Sequence, residues 1–282
     1  MRVLITGAGG IVGRFVAEAL AGHEAIELGR RPSGGPAAGF VPWELGAEAA
    51  LPEAEALVHL ALDHVPGAYR GGEGADPAGF WRRNVEGSAR LFEAAAGRGA
   101  RRIVFLSSRA VYGGHPPGAR AREEDAVAPD TLYGEAKLAS ERFLDGMGVE
   151  GISLRATGIY GWPPRAATHK WADLFGDFRA GRSIAPRVAT EVHGADLAAA
   201  VTLALTAPVP EPLYNVSDLL LDRHDLLGEF GRLAGIAHPP PPRADGSRIV
   251  AMETDRLRGL GWQPGGWERL REELGRIAED IA

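Results

Sequence analysis

The opening thirteen residues narrow what this chain can become more than any other segment. Arg2-Val3-Leu4-Ile5-Thr6 is an apolar run that passes directly into Gly7-Ala8-Gly9-Gly10-Ile11-Val12-Gly13, after which Phe15, Val16, Ala19 and Leu20 recur at helical spacing. Strand, glycine-rich turn and helix in that order suit a dinucleotide. Gly7 makes the tight turn off the strand, Gly10 lets the backbone approach a pyrophosphate, and Gly13 lets the helix lie close to the sheet. Ile11 and Val12 then begin a helix whose unpaired amides and positive dipole end face the anion. A glycine-rich turn alone is often no more than a turn, and it is the strand before it and the helix after it that give this one its meaning.

The same alternation continues. Strands are expected at Ala25 to Leu28, Phe40 to Leu45, Ala56 to Ala61, Arg102 to Ser107 and Ile152 to Arg155, with helices at Trp81 to Ala96 and Leu132 to Met147. Strands alternating with helices predict an α/β fold, a doubly wound parallel sheet covered on both faces. After Gly161-Trp162-Pro163-Pro164 the character changes, and the segment to Pro186 has no clear strand signal. A helix from Asp196 to Thr206, a strand from Leu213 to Val216 and a helix from Asp222 to Ala234 follow, then the stiff, extended Pro239–Pro242. The expected division is a dinucleotide-binding part over 1–161, with 193–216 returning to it, and a smaller C-terminal substrate lobe from 162–192 and 217–282.

Composition removes several kinds of chemistry. None of the 282 residues is cysteine, so disulfides, thiolate nucleophiles and Cys-ligated metals are absent. A formal charge of −6 gives no global pull toward nucleic acid. No run approaches the roughly eighteen apolar residues of a membrane span, and Val3 to Gly7 is too short for the core of a signal peptide, so no membrane partner and a cytoplasmic location are expected.

The tip of the second strand bears on which dinucleotide binds. A carboxylate there would hold the adenosine ribose hydroxyls and favour NAD, but Ala25-Ile26-Glu27-Leu28 ends in Gly29-Arg30-Arg31, with Glu27 inside the strand. Two guanidinium groups can fork onto a 2′-phosphate, so NADP is preferred over NAD, the alternative being two solvated arginines. Glu44 and Leu45, closing the third strand, and Leu60 and Ala61, closing the fourth, are further candidates for the cofactor.

Tyr133-Gly134-Glu135-Ala136-Lys137 sets a phenol and an ammonium four residues apart at a helix start, hence on one face, in a chain with five tyrosines and only two lysines. A phenol with an ordinary pKa near 10 is a poor base at neutral pH, and a nearby cation favours its phenolate.

With these residues the chain resembles the short-chain dehydrogenase/reductase superfamily, and within it the extended, nucleotide-sugar epimerase/dehydratase branch. His59-Leu60-Ala61, Asn84-Val85-Glu86-Gly87, Ser107-Ser108-Arg109-Ala110-Val111-Tyr112-Gly113, Leu154-Arg155 with Ile159-Tyr160-Gly161, and Val192-His193-Gly194-Ala195-Asp196 carry the resemblance in order from Thr6 to about Trp262. It implies a Rossmann-like fold and a hydride transfer to or from an alcohol or ketone carbon of a sugar, sugar nucleotide or similar small polar substrate. Tyr133 would be the acid/base, Lys137 would lower its pKa and hold the nicotinamide ribose, Ser108 would bond the reacting oxygen, and Asn84 would support Lys137. Ala156 would lie beside the nicotinamide. The resemblance also implies a homodimer through the helices beginning near Asn84 and Tyr133, with Leu91, Phe92, Leu138 and Phe143 as apolar anchors. Ser107, Tyr112, Tyr160, His59 and His193 read as structural residues, the histidines with satisfied ring nitrogens.

The departures are as informative. Arg109 and Ala110 stand where sugar dehydratases of this family carry Asp-Glu, which argues against a 4,6-dehydratase, and the lack of Cys argues against reductive 3,5-epimerisation. Ala189 replaces the usual diphosphate arginine, leaving Arg187 and Arg243, with Ser108 and Arg109, as candidates for the substrate. Phe40 to Leu57 leaves little room for the usual helix. A nucleotide-sugar 4-epimerase retaining its NAD, and a non-catalytic NADP-binding sensor, stay open as alternatives.

Overall fold

The computed structural model describes residues 1–48, 50–65, 71–114, 116, 118–247 and 249–280. The first half alternates as the sequence predicts: β1 (Arg2–Thr6), α1 (Ile11–Ala19), β2 (Glu24–Gly29), β3 (Gly39–Pro42) and β4 (Ala56–His59). Then come α2 (Pro77–Trp81), a π turn (Arg82–Glu86), α3 (Gly87–Gly97), β5 (Arg102–Ser108), a 3-10 turn (Arg109–Tyr112), β6 (Arg120–Ala121), α4 (Leu132–Asp145) and β7 (Glu150–Ala156). Among the described residues no helix lies between β3 and β4, as the short spacing implied. The predicted continuous helix from Trp81 to Ala96 is instead interrupted by the π turn.

The second half holds β8 (Gly158–Tyr160), α5 (Ala172–Arg179), β9 (Val188–His193), α6 (Gly194–Thr206), β10 (Leu213–Val216), β11 (Leu219–Asp222), α7 (Arg223–Ala234), β12 (Ala251–Met252), α8 (Asp255–Gly259) and α9 (Gly266–Asp280). Strand β9 and helices α5 and α9 are not among the elements expected from the sequence. The main sheet has the order β10-β7-β5-β4-β1-β2-β3 with every neighbour parallel. A smaller sheet, β11-β9-β8, pairs β8 with β9 in parallel and β9 with β11 antiparallel.

Strand alternation explains why both faces of the main sheet are covered. Val3 and Ile5 of β1 point to one side, with Ala56 and Val58 of β4, and pack on Phe15 and Val16 of α1 and Leu197 and Val201 of α6. Leu4 and Leu57 point to the other, against Leu91 and Phe92 of α3 and Ile103 and Phe105 of β5. A separate core unites Tyr160, Trp171, Phe175 and Phe178 with Leu226, Leu227 and Phe230 of α7 and Leu270, Leu274 and Ile277 of α9, with the Phe175 and Phe230 rings stacked at 4.0 Å. Strand order reverses between β1 and β4, so a crevice opens at their carboxyl ends, the usual ligand position in an open parallel sheet.

Candidate active site

That crevice is built from the glycine turn. Gly7 has φ +72°, and a Cβ there would lie 2.9 Å from the Ala61 nitrogen, so the turn presses against the Leu60–Ala61 segment after β4. A Cβ on Gly13 would lie 2.0 Å from the Gly7 carbonyl oxygen, so only glycine lets α1 start this close to its own turn. Gly10 caps α1 without a side-chain hydrogen bond, and Gly10 and Ile11 are exposed while Val12 is half-buried. The first amides of α1 therefore face outward with no side-chain cap competing for them, an arrangement that fits a dinucleotide pyrophosphate.

Behind the turn, hydrogen bonds run in one direction. The Thr6 hydroxyl oxygen accepts the Leu60 and Ala61 amides, each at 3.1 Å, so its proton goes to His59 Nδ1 at 2.7 Å. His59 then carries its proton on Nε2 and donates to Ser88 Oγ at 2.9 Å, and Ser88 donates to the Asn84 carbonyl. Burial, aided by the Lys137 charge, pushes the His59 pKa down to about 3, so the ring is neutral. Both of its nitrogens are satisfied, as expected of a structural histidine.

Asn84 sits in the π turn, where its Nδ2 donates to the Asp63 and Phe80 carbonyls at 2.9 Å and its Oδ1 accepts the Asp63 amide at 2.8 Å. The widened turn and these bonds tie the helix to the strand-end loop after β4. This fixes Asn84 within the framework behind the site.

Ser108 is the last residue of β5, opposite Ala156 in β7, and its Oγ accepts the Ala110 amide at 3.2 Å. Tyr133 lies in the first turn of α4, whose N-cap Thr131 accepts the Gly134 amide. A Cβ on Gly134 would lie 2.6 Å from the Ala110 carbonyl oxygen, so α4 begins hard against the turn that follows Ser108. Lys137, 6% exposed, donates to the Leu106 carbonyl at 2.7 Å, with Nζ 4.7 Å from the Phe105 ring centre and 5.9 Å from that of Tyr133. Burial pushes the Lys137 pKa down to about 8, against an upward pull from Glu141, so the amine remains mostly charged at neutral pH.

Glu141 and its partners are not apparent from the sequence as site residues. Its carboxylate accepts the Ser107 hydroxyl and both Nε and Nη2 of Arg155, the last at 2.8 Å. The available signal is an acid four residues beyond Lys137, on the same helix face.

The remaining expected residues are distributed more widely. Arg30 and Arg31 are exposed just past the tip of β2, without an ion pair among the described residues, while Glu27 is buried and accepts the Ser33 amide at 2.7 Å. Glu44 is exposed and Leu45 half-buried beyond β3. Arg109 donates to the Val250 carbonyl at 3.2 Å. Arg243 forks onto Asp225, and Arg187 is exposed at the start of β9. The expectation for His193 needs correction. Its Nδ1 accepts the Ala195 amide, but its buried Nε2 has no hydrogen-bond partner among the described residues and lies 3.7 Å from Glu273, because α9 brings that carboxylate close without completing the bond. Three of the four expected dimer anchors, Leu91, Phe92 and Leu138, are buried within this chain, and only Phe143 is exposed. The first two face the chain's own sheet, where the parallel strands need cover.

Known proteins resemble this chain in sequence and fold. The family model for the NAD dependent epimerase/dehydratase family matches residues 3–217. A UDP-glucose 4-epimerase of Azospirillum brasilense is 30% identical over 186 residues, 59% of this chain and about half (51%) of that enzyme. A 3-diazoavenalumate denitrifying reductase of Streptomyces is 29% identical over 314 aligned positions, 98% of this chain and 100% of the reductase. The crystal structure of a Thermus thermophilus UDP-glucose 4-epimerase in complex with NAD superposes with a TM-score of 0.77 at 26% identity, covering 99% of this chain and 98% of that one.

Proposed function

The chain belongs to the NAD dependent epimerase/dehydratase family, and from that premise we propose that it is a dinucleotide-dependent oxidoreductase acting on an alcohol or ketone carbon of a sugar, sugar nucleotide or comparable small polar molecule. The observation that carries the reading is the buried Lys137 ammonium beside the Tyr133 ring, on a helix that starts against the turn following Ser108. A bound dinucleotide would supply the hydride carrier. Gly7, Gly10, Ile11, Val12 and Gly13 would hold its pyrophosphate, with Leu60, Ala61, Glu44, Leu45 and Ala156 along its length. Tyr133 exchanges a proton with the substrate oxygen, Ser108 hydrogen-bonds that oxygen, and the Lys137 charge stabilises negative charge developing on the phenol. Asn84 acts from behind by fixing the helix that packs on α4.

The division of labour follows the same reading. Residues 1–161 and 193–216 bind the dinucleotide, and 162–192 with 217–282 hold the substrate, with Arg109 and Arg187 as its proposed contacts. The commitment of Arg243 to Asp225 favours a substrate held with fewer phosphate contacts than a nucleoside diphosphate needs. NADP is the preferred cofactor because Arg30 and Arg31 are exposed without an ion pair among the described residues and Glu27 is turned to Ser33. The cytoplasm is its proposed compartment, a reading that rests on the lack of any run approaching a membrane span. A homodimer is proposed through α3 and α4, with Phe143 at its centre.

Turnover on a panel of free and UDP-linked sugars tests the reading. Tyr133→Phe is expected to abolish activity while leaving dinucleotide affinity nearly intact, and Lys137→Met to damage both. Equal activity of Tyr133→Phe and wild type contradicts the assignment. The activities of the Azospirillum and Thermus relatives favour a second reading, a 4-epimerase that keeps its cofactor through oxidation, rotation and reduction. Tightly held NAD surviving gel filtration would favour the epimerase, and exchangeable NADPH the net oxidoreductase.

A further inference from the structure

Tyr133, Lys137 and Glu141 occupy successive turns of one face of α4, yet the third has no place in the chemistry described so far. Glu141 and Arg155 form an ion pair whose side chains are 8% and 5% exposed. Ser107, which also bonds to Glu141, immediately precedes Ser108, and Arg155 stands opposite Ser107 in β7. One carboxylate therefore joins the helix carrying the phenol and ammonium to the strand carrying the serine and to the strand beside it. Arg155 is held from its far side as well. Its guanidinium lies 4.7 Å from the Tyr112 ring centre, and Tyr112 donates to Asn215 Oδ1 of β10 at 2.7 Å. A buried ion pair contributes little net stability compared with apolar side chains of the same volume, so stability alone does not account for it.

The surroundings of Lys137 single out the same carboxylate. From α4 it has Tyr133 beside it and Glu141 one turn further on, from β5 the Leu106 carbonyl and the Phe105 ring, and within electrostatic reach lies the neutral His59 of β4. Glu141 is the charge that opposes the effect of burial on this ammonium, and Arg155 of β7 is the cation paired with that carboxylate.

We propose that Glu141 is the positioning residue of this site: through Arg155 and Ser107 it fixes Tyr133 and Lys137 against Ser108, and it sets a carboxylate one helical turn beyond the Lys137 ammonium on the same face. The inference rests on the proposed function only in the use made of Lys137.

The chain's two lysines make the test direct, because protein labelled with carbon-13 at the lysine side chains gives one ε-carbon signal for Lys137 and one for Lys170, assigned with Lys170→Arg. Followed by NMR against pH, the Lys137 midpoint should fall by about one unit or more in Glu141→Gln, an effect of losing a facing charge. Glu141→Asp, which keeps the charge, should restore most of it. Because Glu141→Gln leaves Arg155 buried and unpaired and can unfold the chain, Glu141→Gln/Arg155→Met serves as the second variant, and its Lys137 midpoint should also lie below wild type. An unchanged midpoint in both Gln-containing variants overturns the proposal, as does a full fall in Glu141→Asp. The titration needs neither dinucleotide nor substrate, so failure to bind NADH or NADPH would overturn the proposed function and leave the role of Glu141 standing.

Discussion

His59 is held neutral by bonds at both ring nitrogens and by complete burial, and this has a cost in acid. Its folded pKa of about 3 lies below the ordinary value of 6.5. Between those values the unfolded chain binds a proton that the folded chain does not, so stability is full above 6.5 and falls as pH drops toward 3. By this linkage the loss attributable to His59 between pH 7 and pH 4.5 is about 2–3 kcal/mol. Urea unfolding at the two pH values should show a smaller fall for His59→Asn than for wild type, and an equal fall contradicts the assignment. Tyr133 and Lys137 are legible in the sequence because their roles require two residue types at one helical spacing. Glu141, Ser88 and Asp63 are not, because their roles arise from partners 14 to 34 residues away or from a backbone carbonyl on an adjacent turn.

Element by element, legibility follows how local the cause is. Leu213–Val216 is read to the residue because Pro212 before it and Ser217-Asp218 after it bracket a short segment of mostly β-favouring residues. Strands β8, β9 and β11 are short and lean on one another across long sequence separations, so no segment alone announces them. In α9, Leu270, Leu274 and Ile277 keep helical spacing within a strongly charged segment whose apolar stripe is narrow. The break at Arg82–Glu86 depends on what Asn84 bonds after folding, and no propensity marks it. At this level the dimer proposal rests on α4, where Phe143 is 36% exposed. Light scattering should give a dimer for wild type and a monomer for Phe143→Glu, and a wild-type monomer at micromolar concentration rules out the proposed interface.

Taken together, the parallel sheet, the strand-order reversal at β1 and β4 and the glycine turn place the first amides of α1, the tip of β2 and the face of α4 around one crevice. The two arginines past β2 then make cofactor choice an electrostatic property that can be measured without knowing the substrate. Quenching of tryptophan fluorescence by NADPH and by NADH should be saturable, tighter for NADPH, with a preference that weakens as salt screens an exposed pair. Removing both charges in Arg30→Ala/Arg31→Ala should weaken NADPH binding by up to a few kcal/mol, since hydrogen bonds to charged groups contribute about 1.5–3 kcal/mol each, and should barely change NADH. Gly29→Asp should reverse the preference by repelling the phosphate and accepting the ribose hydroxyls. Equal affinity for the two cofactors, with the double variant losing both alike, contradicts the NADP assignment, and the absence of saturable quenching by either contradicts a dinucleotide-dependent enzyme altogether.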